Sequence, residues 1–521
     1  MGSPGGRAAP LRMRPRLLVA ADPTLPRQAP PGSEAVVVGA GVAGVSAATI
    51  LAERGVAVTL VEAAATLGGR LGAWPHTLPD GTEQVVEHGF HAFFRHYYTW
   101  RDVLRRIDPG LGFLRPVKGY PVISRRFPPE DLGRLPAAPP LNLLALFARS
   151  SSLTVADLLG ADVALGTELL TFDRARTPEV LDTMSAGDFL AGLRVSDRAR
   201  EMLFEAFARS FFCDPDGLSA AELVAMFHFY FLGNPAGIGF DAPRTDHLHA
   251  IWAPLAEYLR ARGATIRTGC ALRSLRPDGP GWALTLDDGA TRTTRHVVLA
   301  LDPGGLRAVV GASPELTGVA PRLAAQTAGL TTAPPFVVSR VWLAADVDPG
   351  RAVFNAVSGE PTLDSVTVYS RLEEPSAQWA RETGGCVLEL HSYACTEPDA
   401  AVERMLGELA ALWPETAGTA QVHRVDRVDA TAPAFPPGSA GARPGVRTDA
   451  RGVRVAGDFV EAPLVCGLME RAAVTGVLAA ADVLAELGTQ GVDVYGVPQR
   501  GLLAGLPARA RHRAVGPRAA T

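Results

Sequence analysis

The apolar positions near the start of the chain follow two different spacings within one uncharged stretch. Residues 35–38 form a short β-branched block, whereas residues 42–51 are alanine-rich with apolar positions at helical spacing. Three glycines, Gly39, Gly41 and Gly44, lie where one spacing gives way to the other. The run is just long enough to raise the question of a membrane span, but the change of spacing predicts a strand, a glycine turn and a helix.

The same kind of pattern predicts strands and helices over the rest of the chain. Residues 56–61 alternate as a second strand, and residues 263–275 predict a strand, a turn and a strand. Residues 195–260 predict helices whose Phe-, Leu- and Met-rich faces suit an apolar tunnel. Residues 335–395 predict strands that would form the floor of the same region. Together these elements predict an α/β fold with a second, α+β part.

The glycine turn has the spacing of a dinucleotide-binding motif. Gly39 allows a tight turn, Gly41 lets a pyrophosphate approach the backbone, and Gly44 lets the helix pack closely on the strand. The N–H groups at the helix N-terminus favour an anion there. Glu62 closes the second strand 18 residues after Gly44. A carboxylate at that point can accept hydrogen bonds from both hydroxyls of an unphosphorylated adenosine ribose.

Composition excludes several other classes of protein. The 521 residues carry a formal net charge of −4, so no global basic field exists to attract nucleic acid. Five cysteines are scattered without C-x-x-C spacing, and no histidines have H-E-x-x-H spacing. We therefore expect no metal site and no disulfide framework, which fits a reducing cytoplasm. The first 33 residues lack the apolar core of a signal peptide.

Two glycines and an arginine after the second strand favour FAD over NAD. Gly68-Gly69-Arg70 would let the loop pass near the cofactor and would pair an arginine with its diphosphate. This opening resembles that of the FAD-dependent carotenoid desaturase and amine oxidase superfamily, whose members return to the flavin near their C-terminal end. Here too a strand ends at Gly457-Asp458, and a helix rich in small residues follows. The resemblance implies a Rossmann-like FAD-binding domain of the GR2 type, interleaved with an α+β substrate domain.

The resemblance also implies a role for each segment near the flavin. Asp458 would bind the ribityl or diphosphate region, and the backbone near Ala271 would clasp the adenine. The helix N-terminus around Met469 and Glu470 would point at the flavin ring near N1, where negative charge gathers on reduction. The expected FAD-binding residues are Gly39, Gly41, Gly44, Glu62, Gly69, Arg70, Ala271, Gly457, Asp458, Met469 and Glu470.

A second set of motifs narrows the resemblance. The segment from Glu87 to Tyr98, EHGFHAFFRHYY, is similar to an E-x-G-x-H-x-F-F-x-x-Y element of plant and cyanobacterial carotene desaturases. Met469-Glu470 with Gly476 is similar to their M-E-x-A-x-x-x-G pattern. The segments ARSFFCDP, AELVAMFHFYFLG and LMERAAVTG resemble the actinobacterial β-carotene desaturase/methyltransferases, the isorenieratene synthases. The resemblance implies oxidation of β-rings to aromatic rings by hydride abstraction, a 1,2-methyl shift and proton loss.

Such chemistry needs a base and a cation-stabilising surface beside the flavin. The expected catalytic residues are Glu87, His88 and His91, with Arg95 contacting the flavin or holding Glu87. The aromatic side chains that could present π faces to a cation are Phe93, Phe94, Tyr97 and Tyr98. The alternative is that His91 only forms a hydrogen bond with the backbone and that the aromatic rings only fill the core.

Other functions share these motifs. Amine oxidases have the same fold, but many carry a lysine that holds a water near flavin N5, and no lysine follows Lys118 in this chain. A desaturase of an acyclic carotene and a flavin-dependent carotene isomerase stay open. A carotenoid carrier that keeps flavin only as a structural cofactor would not need all three flavin segments intact.

The segments predict interleaved domains. We expect a disordered tail over 1–33, an FAD-binding domain over 34–125, 261–305 and 446–492, a substrate-binding and membrane-facing domain over 126–260 and 306–445, and a basic tail over 493–521.

The expected partners follow from the resemblance and from one short apolar segment. They are a carotenoid, a membrane surface that a cytoplasmic protein touches peripherally, and a quinone or oxygen as electron acceptor, with no nucleic acid. Residues 141–147 are apolar and flanked by Pro140 and Arg149. They are too short to span a bilayer, and they predict either a helix that dips into one membrane interface or an ordinary core helix.

Overall fold

A parallel sheet of five strands forms the first layer of the fold. The computed structural model describes residues 15–134, 141–150, 152–154, 157, 160–234 and 236–504. The strands, in spatial order, are Thr265–Arg267, Ala57–Val61, Glu34–Val38, Val297–Leu299 and Val453–Val455. Distant stretches of the chain meet in one sheet because parallel neighbours need a crossover connection. The predicted strands near 35–38 and 56–61 and the α/β class are confirmed.

Two helices pack against each other on this sheet at unusually close range. Val42–Glu53 is buried along nearly its whole length, as expected of a helix that is apolar on all sides. It packs on Leu468–Glu486, where a Cβ added at Gly476 would lie 2.1 Å from the Ala43 carbonyl oxygen. Gly476 is therefore required by the close approach of the two helices.

A sheet of seven strands forms the second layer. Its strands, in spatial order, are Gln421–Asp429, Phe336–Leu343, Cys386–Ser392, Ser365–Val368, Phe354–Val357, Pro121–Ile123 and Glu130–Asp131. Neighbouring strands are antiparallel, apart from the parallel pair between Phe354–Val357 and Pro121–Ile123. Helix Pro398–Leu412 covers one face of the sheet. Pro121–Ile123 lies within the predicted FAD-binding segment 34–125, so that boundary is wrong for these residues.

Smaller sheets and helices complete the described part of the chain. The small sheets are Leu272–Asp278 with Gly281–Leu286 and Thr291–Thr294; Phe93–Phe94 with Phe240–Pro243 and Leu114–Pro116; Ala73–Thr77 with Glu83–Glu87; and Arg16–Val19 with Val494–Gly496. The remaining α-helices are Tyr98–Leu104, Leu141–Arg149, Val163–Leu170, Arg176–Leu181, Ala186–Gly192, Asp197–Ala199, Ala206–Arg209, Ala220–Phe227, Ala253–Arg260, Pro303–Gly311, Pro314–Val319, Pro321–Ala328 and Glu374–Thr383. Wider π-helical turns occur at Arg200–Glu205, His228–Leu232 and Leu248–Trp252.

The two ends of the described chain pair with each other. Arg16–Val19 forms an antiparallel ribbon with Val494–Gly496, and the Ala21 N–H donates to the Asp493 carboxylate at 2.9 Å. The prediction of a disordered tail over 1–33 and a basic tail over 493–521 is therefore wrong for these residues. The rest of both predictions falls partly on residues 1–14 and 505–521, which lie outside the described residues.

The apolar segment near residue 141 forms a helix, Leu141–Arg149. The Asn142 side-chain amide donates to the Phe231 carbonyl oxygen at 2.5 Å, which ties this helix to the π-helical turn His228–Leu232. Among the helices in the described residues, none combines the length and the apolar character needed to cross a bilayer.

His96 is a fully buried histidine in an aromatic shell. The rings of Phe94, Tyr97, Phe229 and Tyr230 surround it with centroid distances of 4.6–5.6 Å. Neither of its ring nitrogens has a hydrogen-bond partner among the described residues. Burial therefore lowers the pKa of His96 to about 3.

We expect replacement of His96 by leucine to make folding less sensitive to acid. Below pH ~6.5 His96 is protonated in the unfolded chain but stays neutral in the folded one. The free energy of unfolding of the wild type therefore falls by ~1.4 kcal/mol per pH unit. The difference in unfolding free energy between His96→Leu and wild type should shift by about 2 kcal/mol in the variant's favour between pH 7 and pH 5. Urea titrations at both pH values measure it. Phe229→Leu, in the same shell without a titratable group, should show no such shift, and a constant difference for His96→Leu would contradict the prediction.

Candidate functional site

One cavity connects the two sheets. Its volume is about 690 Å³, and its walls come both from the glycine turn of the parallel sheet and from strands of the seven-stranded sheet. At one end Glu62 and Leu301 follow the carboxyl ends of parallel strands, which is where open α/β sheets bind their ligands. At the other end Phe354 and His391 belong to the second sheet.

Each of the three glycines of the turn is needed for a different structural reason. Gly39 has φ +95°, and a Cβ there would lie 2.2 Å from the Ala300 carbonyl oxygen. A Cβ at Gly44 would lie 1.8 Å from the Gly39 carbonyl oxygen, so this residue lets the helix approach the turn. A Cβ at Gly41 would meet no protein atom closer than 3.8 Å. Because Gly41 lines the cavity, a side chain there would occupy the space of a ligand.

Glu62 is held beside the glycine turn by two backbone groups. The Ala40 N–H donates to Glu62 Oε2 at 2.6 Å, and the Ala64 N–H donates to Oε1 at 2.8 Å. The carboxylate lines the cavity next to Ala271 and Cys270, which come from the neighbouring edge of the parallel sheet. The backbone therefore fixes Glu62 at the end of the cavity where the sequence predicts the adenosine.

Two predicted residues from opposite ends of the chain form an ion pair on the cavity wall. The Arg70 guanidinium donates to both oxygens of the Asp458 carboxylate, at 2.8 and 2.6 Å. Gly69 and Gly457 line the cavity on either side of this pair. The bidentate geometry fixes the planes of both side chains, so it connects the first flavin segment with the last.

The N-terminus of helix Leu468–Glu486 faces the cavity through Leu468 and Met469. The positive end of the helix dipole thus points at this part of the cavity. Glu470 does not line the cavity. Its carboxylate accepts hydrogen bonds from the Thr99 and Trp100 N–H groups at 2.8 and 3.0 Å, and burial raises its pKa to about 8. Its side chain therefore caps the N-terminus of a neighbouring helix.

Glu87 and Arg95 lie outside the cavity lining and do not contact each other. The Glu87 carboxylate is buried and accepts hydrogen bonds from the His247 N–H at 2.8 Å, the Tyr369 hydroxyl at 3.0 Å and Arg340 at 3.3 Å. Arg95 instead approaches Asp241 at 3.3 Å. The prediction that Arg95 holds Glu87 is wrong, because Arg340 from the second sheet takes that place.

His88 and His91 both line the cavity. His91 Nδ1 lies 2.8 Å from the Gly89 carbonyl oxygen, so Nδ1 carries the hydrogen and Nε2 keeps its lone pair. Burial and the nearby His247 lower the pKa of His91 to about 3. Burial and Arg427 lower the pKa of His88 to about 4. Both imidazoles are therefore neutral near pH 7.

The far half of the cavity is aromatic. Of the predicted aromatic residues, Phe94 and Tyr97 line it, whereas Phe93 and Tyr98 do not. Sequence reasoning missed a group of four lining rings that contact one another at centroid distances of 5.0–6.1 Å; they are Phe90, Tyr120, Phe240 and Phe354. These rings come from four separate segments, so no local pattern could have grouped them.

Sequence reasoning also missed His391 and the buried Arg340. His391 lines the cavity from strand Cys386–Ser392. Arg340 lies behind the wall on the neighbouring strand, 2.8 Å from the Glu389 carboxylate. The alternation of the strand LELHS was the available signal, because it places Glu389 and His391 on one face.

Comparison with known proteins identifies the family. The model of flavin containing amine oxidoreductases matches residues 42–484. The chain belongs to this flavoprotein family. The predicted resemblance to the superfamily and the prediction of FAD as cofactor are thereby confirmed.

Relatives and solved structures match most of the length of this flavoprotein. It is 45% identical to a carotenoid phi-ring synthase of Streptomyces griseus over 475 residues, covering 89% of this chain and 90% of that one. A carotenoid phi-ring synthase of Chlorobaculum tepidum is 27% identical, and the match covers 90% of this chain and 91% of that one. The cyclohexylamine oxidase of Brevibacterium oxydans has a TM-score of 0.63 at 16% identity, covering 88% and 100%; this likeness concerns the fold.

The residues at the parallel-sheet end of the cavity fit FAD. Gly41 leaves room for a diphosphate, Glu62 offers carboxylate oxygens to a ribose, and Arg70 offers a guanidinium. The helix N-terminus at Leu468 and Met469 suits the negative charge that a flavin ring acquires on reduction. The flavoprotein would therefore hold the adenosine at the glycine turn and the ring toward the aromatic half.

We expect Glu62→Gln to weaken FAD binding about tenfold, because one charged hydrogen-bond acceptor for the ribose is lost. The amide oxygen of glutamine can still accept one of the two backbone N–H groups, so the turn should stay folded. Titration of apoprotein with FAD, followed by flavin fluorescence, measures the change. The exposed Glu34→Gln, on the adjacent strand, is the matched control. Equal FAD affinity of both variants would contradict the assigned role of Glu62.

Proposed function

We propose that this flavoprotein is a carotenoid-modifying oxidoreductase that converts a β-ring of a carotene into an aromatic ring. The observation that carries the proposal is the continuity of one cavity from the FAD-binding residues to the aromatic wall, which is formed by Phe90, Tyr120, Phe240 and Phe354. A long, apolar, polyene substrate suits such a wall. The two carotenoid phi-ring synthases among the relatives support a ring product of the phi type.

The balance of the reaction sets what the protein must do. A cyclohexene that becomes an arene loses four hydrogens, as two hydrides and two protons. FAD, when bound, supplies the acceptor for a hydride. The gem-dimethyl carbon of the β-ring blocks aromatisation until one methyl group moves to the neighbouring cationic carbon. Because this shift is internal, the carbon count is unchanged and no methyl donor is needed.

The aromatic wall stabilises and protects the cationic ring. Phe90, Tyr120, Phe240 and Phe354 offer ring faces that attract a cation. Their apolar packing also excludes water, which would otherwise add to the cation and end the reaction before the methyl shift. The wall therefore favours migration of the methyl group over capture by water.

His91 is placed to accept a proton. Its Nε2 lone pair is free, since Nδ1 is bonded to the Gly89 carbonyl oxygen. Because burial keeps the imidazole neutral, it adds no positive charge beside the cationic ring. Proton loss that completes an aromatic ring is strongly downhill, so a weak base is sufficient.

The same proposal includes the substrate's route and the fate of the electrons. Carotenes are insoluble in water, so we propose that the cytoplasmic protein takes its substrate from a membrane surface that it touches peripherally. A quinone or oxygen would then reoxidise the flavin. Helix Leu141–Arg149, which contacts the turn that carries Phe231 on the cavity wall, is the proposed contact with the membrane.

Anaerobic mixing of the FAD-loaded protein with β-carotene separates the proposal from its alternatives. Bleaching of the flavin absorbance by β-carotene supports hydride removal from the ring. A change of carotene isomer without net oxidation supports an isomerase instead. Bleaching by ζ-carotene but not by β-carotene supports a desaturase of acyclic carotenes, and binding without either change supports a carrier.

A further inference from the structure

The strand Cys386–Ser392 presents two chemically different faces. Leu388 and Leu390 pack under helix Pro398–Leu412 on one face of the sheet. Glu389 and His391 alternate with them and therefore point to the other face. His391 reaches the cavity there, although only 4% of its surface is exposed to solvent.

The hydrogen bond between Glu389 and His391 shows which ring nitrogen of the imidazole carries the hydrogen. His391 Nε2 lies 2.8 Å from Glu389 Oε1. An ionised carboxylate can only accept a hydrogen bond, so Nε2 carries the hydrogen and Nδ1 of the neutral ring keeps its lone pair. An imidazole held by a carboxylate in this way has the arrangement of a general base with its orienting group.

Three further donors keep Glu389 ionised and immobile. The Phe90 N–H donates to Oε1 at 2.6 Å, and the Arg340 guanidinium donates to Oε2 through Nε at 3.0 Å and Nη2 at 2.8 Å. Although burial opposes ionisation, Arg340 and His391 hold the pKa of Glu389 at about 2. The carboxylate can therefore offset the charge of an imidazolium at His391.

We infer that His391, oriented by Glu389, is a second proton acceptor of the cavity; this inference rests on the proposed function. Each ring must lose two protons, and His91 alone offers one lone pair. In the assigned step a ring C–H bond breaks, its electron pair becomes a new ring double bond, and the proton binds His391 Nδ1. FAD, when bound, would supply the acceptor for the preceding hydride, with a quinone or oxygen as the terminal oxidant. The proton passes to solvent between turnovers.

The test compares His391→Gln with wild type, both loaded with FAD and supplied with β-carotene in detergent micelles. Glutamine can keep a side-chain N–H on Glu389 but has no basic nitrogen. We expect turnover to fall ~100-fold or more, with retained FAD absorbance and a larger share of product that has lost only two hydrogens per ring. His423→Gln is the matched control, because His423 lies in the same sheet two strands away, within hydrogen-bond distance of His76 and outside the cavity lining.

A second variant separates a missing base from a packing defect. Added imidazole should restore turnover to His391→Ala if the proton acceptor is what was lost. No rescue by imidazole, or wild-type turnover and product ratio in His391→Gln, would overturn the inference while leaving the proposed function intact. A wild-type protein that leaves β-carotene unchanged overturns the proposed function itself, and the inference with it.

Discussion

Replacing Arg340 with methionine should lower the free energy of unfolding by about 3–5 kcal/mol, because the change leaves buried carboxylates without their cation. Arg340 lies 2.8 Å from Glu389 and 3.3 Å from Glu87, and its guanidinium stacks 3.8 Å from the centroid of the Tyr369 ring. A third carboxyl, Glu373, lies 3.6 Å from Arg340, and burial raises its pKa to about 8. Arg340 lowers the pKa of Glu389 to about 2, so Glu389 is the carboxylate whose charge depends on Arg340.

The expected loss of unfolding free energy is large because the Arg340 cluster is buried. An exposed ion pair provides the comparison. Arg351 pairs with Glu415 at 2.7 Å, but about 30% of each side chain is exposed. Arg351→Met should therefore cost less than ~1 kcal/mol. Urea titrations of both variants at pH 7 measure the comparison. Similar losses for Arg340→Met and Arg351→Met would contradict the view that the Arg340 cluster is a buried, mutually dependent unit.

Replacing His91 with asparagine should lower the turnover of β-carotene by a factor of ~100 to ~1,000, because one of the two proton acceptors is removed. The asparagine amide can occupy the position of Nδ1 and donate to the Gly89 carbonyl oxygen, as His91 does at 2.8 Å. The loop should therefore keep its conformation and FAD should stay bound. Pigment analysis of FAD-loaded protein after a fixed reaction time measures the loss.

His249→Asn is the matched control for His91. The His249 side chain is 65% exposed and contacts Asp246 through Nδ1 at 2.9 Å, which asparagine can also reach. It should keep wild-type turnover and wild-type FAD content. Normal turnover in His91→Asn would contradict the proton-accepting role of His91.

The FAD-binding half could be predicted because its signals are local. The turn at Gly39, Gly41 and Gly44 needs one strand and one helix, both visible as a change of apolar spacing. The cavity is also lined by Glu62, predicted from its distance to that turn, and by Arg70, predicted from the Gly68-Gly69-Arg70 sequence after the second strand. Backbone geometry imposes these spacings on any chain that wraps a dinucleotide in this way.

The substrate half could be predicted only in outline, because its wall depends on strand register between distant segments. Arg340 meets Glu389 because the two residues are cross-strand partners in the second sheet, and no local spacing specifies that pairing. Within the motif around Glu87, Glu87 itself is buried behind the wall while His91 faces the cavity. Which residues of such a loop face the cavity and which are buried behind its wall is decided by the tertiary structure.

The most direct test of the proposed ring aromatisation is the mass of the pigment made in cells that accumulate β-carotene and express this protein. We expect a product eight hydrogens lighter than β-carotene with the same number of carbons, or four hydrogens lighter if one ring reacts. Retention of all carbons together with this loss requires the internal methyl shift. Unchanged β-carotene, in cells whose expressed protein holds FAD, would contradict the proposed ring aromatisation.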